Sequence, residues 1–472
     1  MGKRRQRPIL SAGLKRIFFR WLVSFAFVVM QIGCGRQPAG GATAVNGTGQ
    51  PLKTGRADVK PSLPEPCKLV LLPLGGETLL DKDILRAQEQ ARKATNPSAA
   101  VERLGWLFVS KARVSFDPGF YKLAEQCGIW LESKEPRSPE ALLLRGHSLQ
   151  NLHRFREAEP LARDLVAMRG LAFDYGLLGD VLMEVGRLDE AVEAYQKMAD
   201  LKPDLQAYTR IAHLRWLKGD LQGATEMMQM AVQAATPRSP ETAAWVYTRM
   251  ALYELQAGDF DQALQMCDGA LAFQTEYPPA LLAKGRLLLA QGKVPKAVES
   301  LSQAAKLNPL PEYQWTLAEA LRSAGQTNQA VAVESLLKQH GAAADPRTLA
   351  LYLSSRGEES ANAIRLAEAE LTTREDVFTH DALAWSLAAA NHLAEAANHL
   401  NLALAEGTQD ARLFLHAGII YGRLGKTDEA TKYLDSANAI QQMLLPCEKS
   451  LLAEHFAQLK RQVPEQVSIE KQ

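Results

Sequence analysis

Cysteine is scarce in this chain of 472 residues: Cys34, Cys67, Cys127, Cys267 and Cys447 are the five present, and no two form a C-x-x-C. No histidine pair stands at zinc-finger spacing from them, which argues against structural zinc. In an oxidising compartment the four besides Cys34 would permit three pairings. They lie far apart and read as single buried thiols, with disulfide formation left open. Catalytic signatures are lacking too. H-E-x-x-H, G-x-S-x-G and G-x-G-x-x-G do not occur, and no nucleophile, base or metal cluster stands outside the repeats described below, so no catalysis, cofactor, metal or small-molecule substrate is expected. Charge of one sign is also missing: 54 Lys and Arg against 53 Asp and Glu leave +1. Seven of the positives, Lys3, Arg4, Arg5, Arg7, Lys15, Arg16 and Arg20, precede residue 34 with no acid among them, and removing these seven leaves the remainder at −6. Affinity for duplex nucleic acid is built from basic patches, so a mildly acidic body excludes it as the expected partner.

The apolar run WLVSFAFVVMQIG, 21–33, follows those basic residues. It is too short for a comfortable membrane span and right for the core of a signal peptide. Residues 35–66 are rich in Gly, Pro, Thr and Ala without apolar periodicity and read as a flexible tether. Gly33, Cys34 and Gly35 after such a run resemble a bacterial lipoprotein signal, although Gln31 stands where that pattern favours Leu. The resemblance implies that Cys34 is lipidated, becomes the new N-terminus and anchors an exported protein at the periplasmic or outer-membrane face. Cleavage elsewhere and an uncleaved anchor in the inner membrane are the alternatives. N-myristoylation would need Ser or Thr at Gln6.

Further on, YGRLGKTDEA, 421–430, contains the second half of a phosphate-binding loop. Such a loop needs an earlier glycine, whose place is taken by Ile420, so it could not close around phosphate. The same stretch can be laid on GRLDEA, 186–191, which points to a repeat.

The unit is clearest in YGLLGDVLMEVGRLDEAVEAYQKMADLKP, 175–203. Leu178, Val181, Leu182 and Val185 mark one helix at 3.6 spacing, closed by Gly186. Asp189 and Glu190 place negative charge at the start of a second helix, which presents Ala191, Ala194, Tyr195, Met198 and Leu201 on one face and stops at Pro203. Gly179 and Ala191 are small where the two helices approach. The frame recurs at intervals of about 34 residues. It is carried by Gly146, Phe155 and Ala158; by Tyr208, Gly219 and Ala224; and by Tyr247, Ala251, Gly258, Ala263 and Ala270. Leu281, Gly285, Gly292, Ala297, Leu301, Ala304 and Pro309 follow, then Leu317, Ala318, Gly325 and Ala330. A weak copy spans Leu349 to Leu371 with Gly357; the next has Leu383, Ala384, Ala396, Leu400 and Ala403, with Asn391 in the glycine position. The last has Phe414, Ala417, Gly418, Tyr421, Gly425, Ala430, Leu434 and Ala437, and a degenerate first copy contains Leu104, Gly105 and Ala124.

These residues resemble the tetratricopeptide repeat over roughly 98–444. The resemblance implies an all-α, right-handed superhelical solenoid of antiparallel helix hairpins. The expected organisation is a signal peptide at 1–33, Cys34 and linker at 34–79, an N-terminal cap and degenerate repeat at 80–138, repeats at 139–444, and a capping helix and tail at 445–472. Open solenoid ends need covers; these are expected from 82–94 and from 449–462, the latter using Leu451, Leu452, Phe456 and Leu459. His392 and His399 are read as surface histidines on different helices, separated by the turn at Asn391.

In tetratricopeptide proteins the first helices line a concave groove that binds peptides or partner helices. The resemblance therefore implies a non-catalytic protein-binding scaffold at the envelope. Its groove would show His147, Gln150, Asn151, Asp180, Glu184, His213, Trp216, Arg286, Glu319, Arg322, Trp385 and Arg423. Trp216, Trp385, Arg286 and Arg322 stand out because Trp and Arg dominate binding hot spots. A structural subunit of an envelope or secretion assembly, working through its convex or end surfaces, is the other expectation.

Overall fold

The computed structural model describes residues 66–469. The signal peptide, Cys34 and most of the tether lie outside the described residues. Among those described are 23 α-helices, one short 3-10 helix and no strand. Helices α1 (Pro66–Val70) and α2 (Leu79–Lys93) come first, then ten hairpins. The hairpins are α3/α4 (Ser98–Ser115, Gly119–Lys134), α5/α6 (Pro139–Asn151, Phe155–Met168), α7/α8 (Ala172–Glu184, Leu188–Leu201), α9/α10 (Leu205–Leu217, Leu221–Ala234) and α11/α12 (Pro240–Ala257, Phe260–Phe273). They continue as α13/α14 (Pro278–Ala290, Val294–Leu307), α15/α16 (Pro311–Ser323, Thr327–Ala344), α17/α18 (Pro346–Arg356, Ser360–Leu371), α19/α20 (Val377–Ala389, Leu393–Leu404) and α21/α22 (Ala411–Arg423, Thr427–Ala439). A 3-10 turn at Gln441–Met443 leads into α23 (Pro446–Ile469).

The repeat frame explains why the hairpins form. Gly186 closes α7 with φ +77°, and Gly425 closes α21 with φ +75°, a conformation that glycine adopts without a Cβ penalty. Asn391 serves the same purpose at φ +68°, and His153, unforeseen in this role, does so at φ +57°. Within the third hairpin, a Cβ on Gly179 would stand 2.3 Å from a ring carbon of Tyr195, so the close approach demands glycine. Ala191, Tyr195 and Met198 of α8 are buried against α7. Leu201 departs from the expected apolar face: at the last position of α8 it is 56% exposed. Thr427 opens α22.

The ends are covered. Thr78 caps α2, accepting from the Asp81 N–H while Asp81 reaches back to Thr78, and Ile84, Ala87 and Ala91 pack into the first hairpin. On α23, Leu452 is buried and Leu451, Phe456 and Leu459 pack on the last hairpin. That helix also touches α15.

This second contact belongs to a wider feature: the superhelix closes on itself. The turn after α7 meets the segment between α18 and α19, where the Glu375 N–H donates to the Glu184 carbonyl at 3.2 Å. A hairpin later, Lys218 pairs with Glu406 at 2.7 Å and the Thr408 hydroxyl donates to the Leu217 carbonyl. Gln256 Nε2 donates to the Gln409 carbonyl at 2.6 Å, and Gln442 Nε2 to that of Gln256 at 2.7 Å. Arg286 Nη2 donates to the Met443 carbonyl at 3.0 Å, and the Cys447 N–H to Glu319 Oε2 at 3.0 Å. Each pair joins residues some 130 to 190 positions apart, so a wall of first helices is wrapped round an interior.

Candidate functional site: an internal cavity

The wrapped first helices enclose a cavity of about 550 Å³. Every odd-numbered helix from α7 to α21 contributes to its wall. Trp315 and Thr209 are buried deep in the lining, whereas Leu402, 53% exposed, and the half-exposed Glu312 and Glu375 mark where it opens.

One side of the wall is a continuous series of rings. Phe378 on α19 stacks on Trp216 of α9 at 5.9 Å, and Trp216 stacks on His213 at 5.7 Å, with interplanar angles of 19° and 16°. The Trp216 indole also donates to Gln256 Oε1 at 2.8 Å. Next to His213, Arg249 of α11 places Nη2 3.4 Å from its Nδ1 and lies over the rings of Trp245 and Tyr253 at 6.0 and 5.6 Å. Burial holds the His213 pKa down to about 3, with Arg249 pushing the same way, so the imidazole is neutral at physiological pH.

The remaining charges of the wall are largely matched. Arg210 donates from Nε and Nη2 to the two oxygens of Asp180, each at 2.7 Å, and the Tyr195 hydroxyl donates to Asp180 at 2.8 Å. Arg374 pairs with Glu184 at 2.7 Å, their side chains only 3% and 5% exposed, and Arg347 pairs with Asp376 at 2.9 Å. Desolvation raises the Glu184 pKa against the pull of Arg374; at Asp376 desolvation acts in the same sense, but Arg347 and Arg374 outweigh it and its pKa is lowered. Arg286 holds Glu312, Arg412 holds Glu448, and His416 faces Asp381 at 2.8 Å. Asp345 and Asp410 cap α17 and α21.

Five of the expected groove residues, Asp180, Glu184, His213, Trp216 and Arg286, line this cavity. The others are placed elsewhere. His147 is buried among Trp106, Tyr121 and Asn151. Glu319 is buried under α23. Trp385 is buried, stacked on His416 at 4.2 Å, with its Nε1 donating to Ser355. Arg322 is engaged by Glu334 at 3.0 Å, and Arg423 donates to the Ala388 carbonyl at 2.7 Å. Gln150 is buried and Asn151 half-buried.

His392 and His399 are not on different helices: Asn391 is the turn, His392 caps α20 and His399 lies within it. His399 faces His380 across the hairpin, their Nδ1 atoms 3.1 Å apart. Among the described residues no group of three or more potential metal ligands occurs.

Arg249, Trp245, Tyr253 and Phe378 are wall residues that sequence reasoning missed. The signal for Arg249 was present in the frame: it stands two residues after Tyr247, as Arg210 stands two after Tyr208.

Tetratricopeptide repeat models match residues 143–205, 177–240 and 254–321. No curated protein matches the chain. Similar solved structures include PilF of Pseudomonas aeruginosa, 16% identical with a TM-score of 0.37, covering 43% of this chain and 90% of that one. PilW, a type IV pilus biogenesis factor, is 14% identical with a TM-score of 0.38 and covers 43% and 92%. The human IFIT1 dimer with PPP-AAAA is 12% identical with a TM-score of 0.44 and covers 79% and 98%.

Proposed function

We propose that this chain, a tetratricopeptide repeat protein, is a non-catalytic scaffold that binds a protein partner through its inner wall while tethered at the bacterial envelope by lipidated Cys34. The observation that carries the reading is the convergence of the first helices of eight hairpins on one cavity, with Trp216 and Arg286 in its wall. Aromatic and arginine side chains in such positions are typical binding anchors. The anchor rests on the sequence at 21–35 and on the tether that follows it.

A photo-crosslinking side chain at Leu402, where the cavity opens, tests the inner-wall reading in native membranes. Adducts with a partner protein are expected there and are expected to vanish on Trp216→Ala. A second reading, a structural subunit that packs through its outer surface, is favoured by the exposed Leu201, Val331 and Leu336 on second helices. Adducts formed from Val331 and none from Leu402 would establish that reading instead. Mass spectrometry of the membrane-associated protein tests the anchor: retained Met1 or unmodified Cys34 would eliminate it.

A further inference from the structure

Two equivalent arginines of the inner wall have unequal neighbours. Arg210 and Arg249 each stand two residues after a frame tyrosine and reach back to the preceding hairpin's first helix. Arg210 finds Asp180, five residues after Tyr175, and is neutralised by it. Arg249 finds the residue five after Tyr208, and that residue is His213. The imidazole is neutral and cannot supply the counter-charge. Among the described residues no carboxylate lies within ion-pair distance of Arg249, although the other guanidiniums of the wall each have one.

The surroundings of this uncompensated cation are aromatic. Phe378, Trp216 and His213 stack in sequence up to it, and Trp245 and Tyr253 lie under it. The indole Nε1 of Trp245 is buried with no hydrogen-bond acceptor among the described residues. A half-buried guanidinium in a low-dielectric cavity attracts an anion far more strongly than a surface one. Flat rings offer a stacking face to a planar body, and a cavity of about 550 Å³ falls within the roughly 300–1,000 Å³ of small-molecule sites.

We propose that the cavity is a binding site for a small aromatic anion, whose charged group is held by Arg249 and whose ring lies against the Phe378–Trp216–His213 series. This goes beyond the scaffold reading and is tested on the purified full chain without any partner. The probe is 8-anilinonaphthalene-1-sulfonate, followed by its own emission and by energy transfer from the cavity tryptophans. Its uncharged counterpart, N-phenyl-1-naphthylamine, reports the ring contribution alone. Saturable binding of the sulfonate is expected, weakened at least tenfold by Arg249→Gln and only partly by Arg249→Lys, while binding of the uncharged dye is unchanged by both. Because Arg249 has no ion-pair partner to orphan, both variants are expected to melt with the wild type. The proposal is overturned if the sulfonate does not bind saturably, if Arg249→Gln leaves its affinity intact, or if both dyes weaken together.

Discussion

Alanine at Gly186 and alanine at Gly425 make the same chemical change at the same repeat position and at nearly the same φ, +77° and +75°. A left-handed conformation costs a non-glycine residue about 1 kcal/mol, so both variants lose that much. At Gly425 nothing lies within 4 Å of the new Cβ, and about 1 kcal/mol is the whole effect. At Gly186 the Cβ would stand 2.4 Å from the backbone carbonyl oxygen of Glu375, which a side-chain rotation cannot relieve. The neighbouring turn of the superhelix must move away. That movement breaks the Glu375 N–H bond to Glu184 and pulls apart the buried Arg374–Glu184 pair. Since separating a buried pair costs about 3–5 kcal/mol, Gly186→Ala is expected to lose roughly 4–6 kcal/mol in total. The midpoints of urea unfolding, followed by circular dichroism, give the comparison. Equal shifts for the two variants would mean that the turns of the superhelix do not touch in solution.

Other outcomes follow from the same geometry. Arg374→Ala leaves Glu184 buried without its counter-ion and is expected to cost about 3–5 kcal/mol, visible as a lower urea midpoint; Arg156→Ala, at an exposed pair with Glu375, is expected to cost under about 1 kcal/mol. Trp385→Ala removes a buried ring stacked on His416 and is expected to cost about 3–5 kcal/mol, a loss seen in thermal melts as well. Burial lowers the His147 pKa from 6.5 to about 3, so the unfolded chain takes up the proton first as pH falls, and stability present above pH 6.5 is lost on acidification toward 3. Between pH 7 and 5.5 this one residue is expected to remove about 1.3 kcal/mol, an effect absent in His147→Gln. Lys426→Ala is expected to leave the isothermal titration of ATP unchanged, because Ile420 is a buried helical residue and no phosphate-cradling loop forms at Gly425–Thr427.

The hairpins were legible because their causes are local. Apolar spacing, a glycine or asparagine at positive φ and small residues at close approaches all lie within one repeat, and even the weak copy at Leu349–Leu371 folds as a hairpin. His392 and His399 were misplaced by a single position, since Asn391 ends one turn and His392 already caps the next helix. Closure of the superhelix was not legible. It depends on turn residues such as Glu375, Thr408 and Gln409 that carry no repeat signature, meeting partners far away in sequence. For the same reason a groove drawn from the frame included Trp385 and Glu319, which the fold buries, and missed Phe378, which completes the wall. Arg249 escaped notice because its meaning lies in a comparison between hairpins, Asp180 against His213.

Hydrogen exchange at the Glu375 amide tests the wrapped superhelix most directly. This amide precedes α19 and has one partner, the carbonyl of Glu184, the last residue of α7. In a closed superhelix this amide is protected although it lies outside any helix, and Gly186→Ala abolishes the protection while the helix cores stay protected. Exchange of Glu375 at the unprotected rate in the unaltered protein would contradict the closed interior on which the cavity and its binding role depend.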